Sequence, residues 1–504
     1  MTRQKLAAFI NKNSTKILVL GIFLAGLGIR LYDITDEPLE FHPTRQLRSA
    51  IISRGFYYHK NPNIPSDQVE FAEKQAGKAG LIEPPILEYL TAQTYRIVGK
   101  EQVWVGRIFS IFFWLLGGWA LYAFSRDIST LTGSVVALII YFLLPFSIIA
   151  SRTLMPDPMM VAFTVISIWA VYEWEKKRSL RWAILTGLVT GFAILSKSVA
   201  GVVLIFPFAF FILSKVNIKS ALKNRQLWLI AILAALPSVV YFLFGIFIDR
   251  RLATQFSGRF FPSLNTDPAF YVQWLLNIDE YFSLIFLVLG VVGIALVKEH
   301  KIRWLLVGWW AGYLVYGFMF PYHIMTHSYY HLPLVPIISA SLAPLAARLT
   351  DLVNQTPQKR FSWAIILTAF GIFITFNLWS VKHELKQEDY RTDIALWEEI
   401  ADVLYDQPGS VIALTADYGT SLKYYGMVSP RHWPSIGDIE YSIISGGEKT
   451  FDQFWENKTS SVHFFLVADL DELEKQPELQ ERLEDYEIFA EGEGYVILDL
   501  KTSK

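Results

Sequence analysis

The sequence predicts an α-helical polytopic membrane protein, with about 11–13 transmembrane helices and a small water-soluble α/β domain at its C-terminal end. Three observations predict this class. Of the 504 residues 53% are hydrophobic and 18% charged, whereas soluble domains carry about 25% charge. Mean hydropathy is positive, at +0.34. Apolar stretches suited to a hydrocarbon core, which needs about 20 residues, recur along most of the chain and stop near residue 380.

The stretches are 16–32, 102–124, 131–150, 157–174, 182–196, 199–214, 227–248, 281–297, 303–320, 330–347 and 362–380. Residues 16–32 lack a small-residue cleavage site, so they are expected to be the first span rather than a cleaved signal. The pair 182–196 and 199–214 is short and reads either as two tight spans or as a re-entrant hairpin, with Lys197 at the shared turn. Abundant aromatics (37 Phe, 24 Tyr, 16 Trp) suit lipid-facing and interfacial positions.

Lys and Arg in the short loops predict orientation. With the N-terminus (Arg3, Lys5, Lys12, Lys16) in the cytoplasm, the same side receives Arg126, Lys176–Arg178 with Arg181, Lys215–Arg225, Lys298–Arg303 and Lys359–Arg360. The other side receives few cations beyond Arg250, Arg251 and Arg259 in one longer loop. The expected place is therefore the cell membrane, with a cytoplasmic N-terminus and an extracytoplasmic C-terminal domain.

Two large external pieces result. The loop 33–101 contains Glu40-Phe41-His42-Pro43-Thr44-Arg45-Gln46 and ends on Glu83-Pro84-Pro85, followed by a helix with Ile86, Leu87, Leu90 and Tyr95 on its apolar face, expected to lie in the membrane surface. The domain 382–504 has strand-like Val411–Thr415 and His463–Val467, an acidic amphipathic helix at Leu470–Leu483, and a hairpin over Tyr486–Leu500 turning at Glu491–Gly494. The remainder, 1–381, is expected to form the membrane domain.

Composition narrows the function. A net charge of −1 offers no field for nucleic acid. The absence of cysteine excludes disulfides, thiol nucleophiles, iron–sulfur clusters and cysteine zinc sites.

Polar residues gather on the predicted outer face: Asp36, Glu37, Glu40, His42, Arg45, Arg48, Glu83 and Glu88 in the first loop, Arg152 to Asp157, Lys197, and the run His323 to His331 with Tyr329 and Tyr330. Such a face suits a charged headgroup on a lipid tail. Sugar transfer from a polyprenyl phosphate needs a base for the acceptor proton and cations for the phosphate. Glu40, His42, Glu83 and Asp157 are the candidate catalytic residues. Arg45, Arg48, Arg152, Lys197, His327, Tyr329, Tyr330 and His331 are the candidates for phosphate and donor binding.

Structural roles stand beside these. Arg107, Arg250 and Arg251 read as snorkelling to headgroups, Asp157 as an N-cap or an ion-pair partner of Arg152, and the tyrosines as interfacial anchors. The spacing of His323, His327 and His331 is a weak metal pattern.

The order of motifs resembles the GT-C glycosyltransferases, in the branch of protein O-mannosyltransferases and lipid A aminoarabinose transferases (glycosyltransferase family 39-like). The resemblance covers roughly residues 17–345. It is carried by the long first external loop, Glu83-Pro84-Pro85-Ile86-Leu87-Glu88-Tyr89, Arg107, Arg152-Thr153-Leu154-Met155-Pro156-Asp157, Ser196-Lys197-Ser198-Val199-Ala200-Gly201, and Tyr329-Tyr330-His331-Leu332-Pro333-Leu334-Val335-Pro336. It implies inverting transfer of a sugar from a polyprenyl-phosphate donor to a glycan, lipid or protein acceptor at the outer face. It implies no obligatory cofactor and leaves room for a divalent cation. One departure is evident: where that family carries an acidic pair in the first loop, this chain has Thr44 and Arg45, and Glu83 replaces the usual lysine before Pro-Pro. The base role is then expected at Glu40, His42 or Glu83, with Arg45 toward phosphate. Two rivals remain: a transporter or flippase, which requires charges at mid-depth in broken helices, and an envelope-assembly protein with altered catalysis.

Overall fold

The computed structural model describes residues 3–80, 82–250, 252, 261–405, 407, 409–444 and 450–503. Arg251 and Arg259, assigned above to an external loop, lie outside the described residues, as do the side chains of Arg3, Lys5 and Lys12. The chain forms two compact units: residues 1–34, 81–87 and 106–388, and residues 35–80, 88–105 and 389–504.

In the first unit every predicted apolar stretch falls on helix. Among the described residues, Asn13–Leu31, Trp104–Ile128, Arg225–Ile248, Ser328–Gln355 and Lys359–Gln387 are each long and apolar enough to cross a membrane. Two bent pairs qualify when each is taken as one span: Leu131–Leu143 with Pro145–Ser151, bent 59°, and Pro268–Phe282 with Leu284–Ala295, bent 88°. The shorter Leu180–Ser196 and Ala200–Leu213 meet at Lys197. The protein is a multi-pass membrane protein.

The first bend has a chemical cause. Pro145 has no N–H, so the carbonyl of Tyr141 loses its helical donor. In hydrocarbon such a group needs another partner. The Ser147 hydroxyl donates to Tyr141 O. Arg30, fully buried, donates to Phe142 O and Gly26 O at 2.9 Å, to Ser147 O at 3.2 Å and to Ser151 Oγ at 2.7 Å.

Helices Ala200–Leu213 and His300–Met319 pack along each other. Gly308 and Gly312 allow the close approach: a Cβ at Gly312 would stand 2.4 Å from Val203 O, and one at Gly308 2.6 Å from Pro207 Cα. Pro207 has also deprived Val203 O of its helical donor, so the smallest residue faces the freed carbonyl.

The second unit contains a five-stranded sheet of β1 (Val411–Leu414), β2 (Arg431–His432), β3 (Phe464–Val467), β4 (Tyr486–Gly492) and β5 (Tyr495–Ser503), in the order β2-β1-β3-β5-β4. β1 runs parallel to β2 and β3, and β5 antiparallel to β3 and β4. The two buried strands alternate between faces. Val411, Ala413, Phe464 and Leu466 pack with Ile400, Leu404 and Leu422 on one side. Ile412, Leu414, Phe465 and Val467 pack with Trp433, Trp455 and Leu479 on the other. The predicted helix over 470–483 is two helices, Leu470–Glu474 and Pro477–Leu483, because Pro477 starts the second.

Residues 35–80 and 88–105, most of the first loop, share a compact unit with residues 389–504. Helix Pro43–Tyr58 packs on helix Ser66–Lys78 and on helix Thr420–Tyr424. Arg54 donates to both oxygens of Glu101 at 3.1 and 3.0 Å, lies 3.8 Å over the Tyr424 ring and donates to Tyr424 O. The Tyr424 hydroxyl donates to Glu101. The apolar residues Leu47, Ile51 and Ile52 are buried within the protein.

Candidate active site

In the first unit the site is built from helix ends. Helix Pro156–Lys177 starts with Pro156, which presets the backbone and needs no donor there. Asp157 follows in its first turn and is buried. It is not the N-cap: that position is Met155, and no side chain caps the helix. Lys197 is the C-cap of helix Leu180–Ser196, in extended conformation before the turn into Ala200–Leu213. This brings Lys197 Nζ to 2.7 Å from Asp157 Oδ1, with both side chains buried. Among the described residues, Asp157 Oδ2 accepts no hydrogen bond.

Two tyrosines complete the cage. Lys197 Nζ lies 4.8 Å from the centroid of Tyr329 and 5.1 Å from that of Tyr330, a desolvated cation over two π faces. Tyr330 is stacked on Tyr316 at 5.5 Å and on His323 at 5.1 Å. His327 packs edge-on against Tyr329 at 5.5 Å. The structure therefore brings together Asp157, Lys197, Tyr329, Tyr330 and His327.

Two other expected residues have structural partners. Arg152 is buried and donates to Tyr32 O at 2.8 Å and Asp33 O at 2.9 Å, tying down the exit of the first span rather than pairing with Asp157. His331, buried, is 2.7 Å from the Tyr313 hydroxyl and 2.9 Å from Ile324 O. Ile324 O can only accept, so Nε2 carries hydrogen. Asn277 donates to Ile324 O at 3.1 Å and Met325 O at 2.9 Å, and Trp274 to the Tyr313 hydroxyl at 3.2 Å. His331 thereby fixes the segment that presents Tyr329 and Tyr330. Among the described residues no three histidines or carboxylates converge as metal ligands.

Arg107 corrects its expected snorkelling role. It is buried and donates to Ile34 O at 3.0 Å, so Arg107 and Arg152 together hold the successive carbonyls of residues 32–34. Arg30 was not singled out from the sequence; its signal is a cation closing the first apolar run. Glu83 lies half-buried in the turn before helix Ile86–Val98.

An apolar groove of about 610 Å³ runs from Ile194 and Gly201, three and four residues from Lys197, to Leu222 and Trp228 at the other end of the helices that wall it. Its walls come from helices Leu180–Ser196, Ala200–Leu213 and Arg225–Leu243, and include Ile194, Gly201, Leu204, Phe208 and Trp228. Ile194 and Gly201 flank Lys197 in sequence on either side.

The second unit holds Glu40, His42, Arg45 and Arg48. His42 precedes Pro43 at the start of helix Pro43–Tyr58, with φ +47°, a left-handed conformation that is strained for a non-glycine residue. Buried Gln46 donates to Phe41 O at 2.7 Å and Pro38 O at 3.3 Å, and so holds the turn carrying Glu40. Arg45 is half-buried in the first turn of the helix. Arg48 donates to Ala79 O at 3.0 Å and Gly80 O at 2.5 Å. Glu37 accepts from the Tyr425 hydroxyl at 2.7 Å, Asp36 lies 3.3 Å from Arg391, and Glu88 accepts from Ser49 at 2.8 Å.

Residues 82–244 match the family described as dolichyl-phosphate-mannose-protein mannosyltransferase. Among curated proteins none matches the chain. Among solved structures the chain is similar to ArnT from Cupriavidus metallidurans in the apo state, with TM-score 0.59 and 14% identity over 96% of this chain and 98% of that one. It is similar to the same protein bound to undecaprenyl phosphate, with TM-score 0.56 and 13% identity over 95% and 97%. It is also similar to the oligosaccharyltransferase AglB from Archaeoglobus fulgidus in complex with an inhibitory peptide and a dolichol-phosphate, with TM-score 0.56 and 13% identity over 95% and 73%. At such identities the likeness is one of fold.

Proposed function

We propose that this chain, whose fold is that of the GT-C glycosyltransferases, moves a hexosyl or pentosyl group from a polyprenyl-phosphate donor to an acceptor hydroxyl. The acceptor is a glycan, lipid or protein at the outer face of the cell membrane. In this reading the N-terminus is cytoplasmic and the domain 382–504 is extracytoplasmic. One observation carries the reading: a buried Asp157–Lys197 pair under two tyrosine rings, at the turn between two helices that wall an apolar groove. The groove suits an isoprenoid tail, and the lysine suits the phosphate at its head.

The chemistry follows from that pair. A carboxylate takes the acceptor proton as the acceptor oxygen attacks the anomeric carbon. The bond from that carbon to the phosphate oxygen breaks, and its electrons stay on the departing polyprenyl phosphate, where a cation stabilises them. Attack opposite the leaving group inverts the anomeric configuration. Arriving phosphate competes with Asp157 for the Lys197 ammonium. As the lysine turns to phosphate, the Asp157 oxygen that held it is released toward the acceptor hydroxyl. Asp157 is the base this favours, and Glu40, His42 and Glu83 are the alternative proton acceptors. Transfer proceeds without an obligatory metal, and a chelator series tests for assistance by a divalent cation.

The test uses purified protein with radiolabelled polyprenyl-phosphate sugars, scoring transfer by Asp157→Asn, Glu40→Gln and Glu83→Gln. Loss in Asp157→Asn, by about 10²–10⁴-fold as expected for a missing general base, supports the assignment. Full transfer by all three variants overturns it.

A further inference from the structure

The second unit contains a polar recess of about 240 Å³. Three elements meet there. Helix Pro43–Tyr58 contributes Thr44, Arg48 and Ile51, spaced so that they share one face. The end of helix Ser66–Lys78 contributes Gln75 and Lys78, and helix Thr420–Tyr424 with the following loop contributes Thr420, Lys423 and Ser429.

The charge in this recess is one-sided. Arg48, Lys78 and Lys423 line it, and no carboxylate does so among the described residues. Among those residues neither lysine has a carboxylate within ion-pair distance; the Lys423 ammonium is 3.1 Å from Tyr418 O. Burial lowers the Lys423 pKa, Asp417 opposes that shift, and the neighbouring Lys78 adds to it. The two ammonium groups of Lys78 and Lys423, brought to one partly dehydrated cavity, repel each other, and an anion between them removes the repulsion. Arg48 is fixed by Ala79 O and Gly80 O, which holds its guanidinium in place before any ligand arrives. The hydroxyls of Thr44 and Ser429 and the Gln75 amide supply neutral polar groups of the kind that recognise sugar hydroxyls. The recess has space on the scale of a single sugar ring.

We propose that this recess is a binding site for one anionic sugar unit, a monosaccharide bearing a carboxylate or a phosphate. It is separate from the Asp157–Lys197 site and independent of whether that site transfers sugar. Phosphate-bearing and carboxylate-bearing sugars share the oxyanion that Arg48, Lys78 and Lys423 recognise.

The test uses the full chain in detergent micelles and isothermal titration with three probes: glucuronate, glucose 6-phosphate and neutral glucose. The expected result is binding of at least one charged probe, none of glucose, and weakening as salt is raised. Comparison of the two charged probes separates a carboxylate site from a phosphate site. The double variant Lys78→Gln/Lys423→Gln is expected to weaken binding at least about tenfold, through loss of two charge-assisted contacts. Ser429→Asp, at an exposed position, places a carboxylate in the recess and is expected to abolish binding without touching the core. Saturation with undecaprenyl phosphate is expected to leave binding of the probes unchanged. Equal binding of glucose and the charged probes, retention of affinity in both recess variants, or competition by undecaprenyl phosphate overturns the proposal.

Discussion

Replacing Lys197 with methionine tests the central pair most directly. The lysine and Asp157 side chains are 7% and 3% exposed, and their 2.7 Å contact is the sole hydrogen bond that the Asp157 carboxylate makes among the described residues. Methionine fills much of the same volume but leaves a buried carboxylate with neither oxygen paired. Removing one partner of a buried ion pair costs about 3–5 kcal/mol. The two ring contacts at 4.8 and 5.1 Å add about 0.5–2 kcal/mol each. Asp157→Asn costs less, because the ammonium keeps both π faces and gains the amide oxygen. The double variant Lys197→Met/Asp157→Asn removes both charges and is expected to recover much of the loss, giving a coupling of about 2–3 kcal/mol. The assay is thermal unfolding of purified protein in one detergent, followed by tryptophan fluorescence, beside native mass spectrometry of undecaprenyl phosphate binding. Lys197→Met is expected to be the least stable of the three and to bind the lipid phosphate at least tenfold more weakly. Parent-like stability of Lys197→Met, or simple addition of the two single effects, refutes the reasoning.

Arg152→Gln is expected to destabilise by about 2–4 kcal/mol, since charge-assisted bonds to Tyr32 O and Asp33 O contribute ~1.5–3 kcal/mol each and glutamine replaces one; protease sensitivity near residue 34 measures it. Gly312→Val is expected to force helices Ala200–Leu213 and His300–Met319 apart, because even a Cβ would lie 2.4 Å from Val203 O; the readout is a lowered unfolding temperature, with Gly371→Ala, which meets nothing within 4 Å, as the neutral control. The last prediction concerns acid. Burial raises the Asp438 carboxyl, but His432, Ser435 and Tyr418 outweigh it and hold the pKa below the ordinary range. A depressed carboxylate stabilises above its unfolded value of about 3.9, and that contribution disappears as pH falls through the folded value. Near-ultraviolet circular dichroism between pH 5 and pH 2, values set around that same reference, is expected to show a smaller acid-side loss in Asp438→Asn than in the parent.

Much of the architecture was legible because its signals are local. Each apolar stretch became helix, since a chain in hydrocarbon must satisfy its backbone within itself. Val411–Leu414 and Phe464–Val467 were readable as short apolar runs, and the Gly494 turn as a hairpin. The edge strand Arg431–His432 was not, because two residues carry no period and pair only once β1 exists beside them. In the site, Asp157, Lys197, Tyr329 and Tyr330 were identified by residue type and position, yet nothing local indicated that they would meet.

The amino-acid sequence by itself determined that this is a multi-pass helical membrane protein with a small α/β portion, because hydropathy and strand alternation act over a few neighbouring residues. Tertiary structure alone decided what each cation does. Arg30 serves the Phe142 carbonyl at a helix break more than a hundred positions away, Arg107 and Arg152 hold the exit of the first span, and Lys197 meets Asp157. A guanidinium or ammonium takes its role from the acceptor that folding places beside it. That acceptor is chosen by packing across the whole chain, which no local pattern encodes.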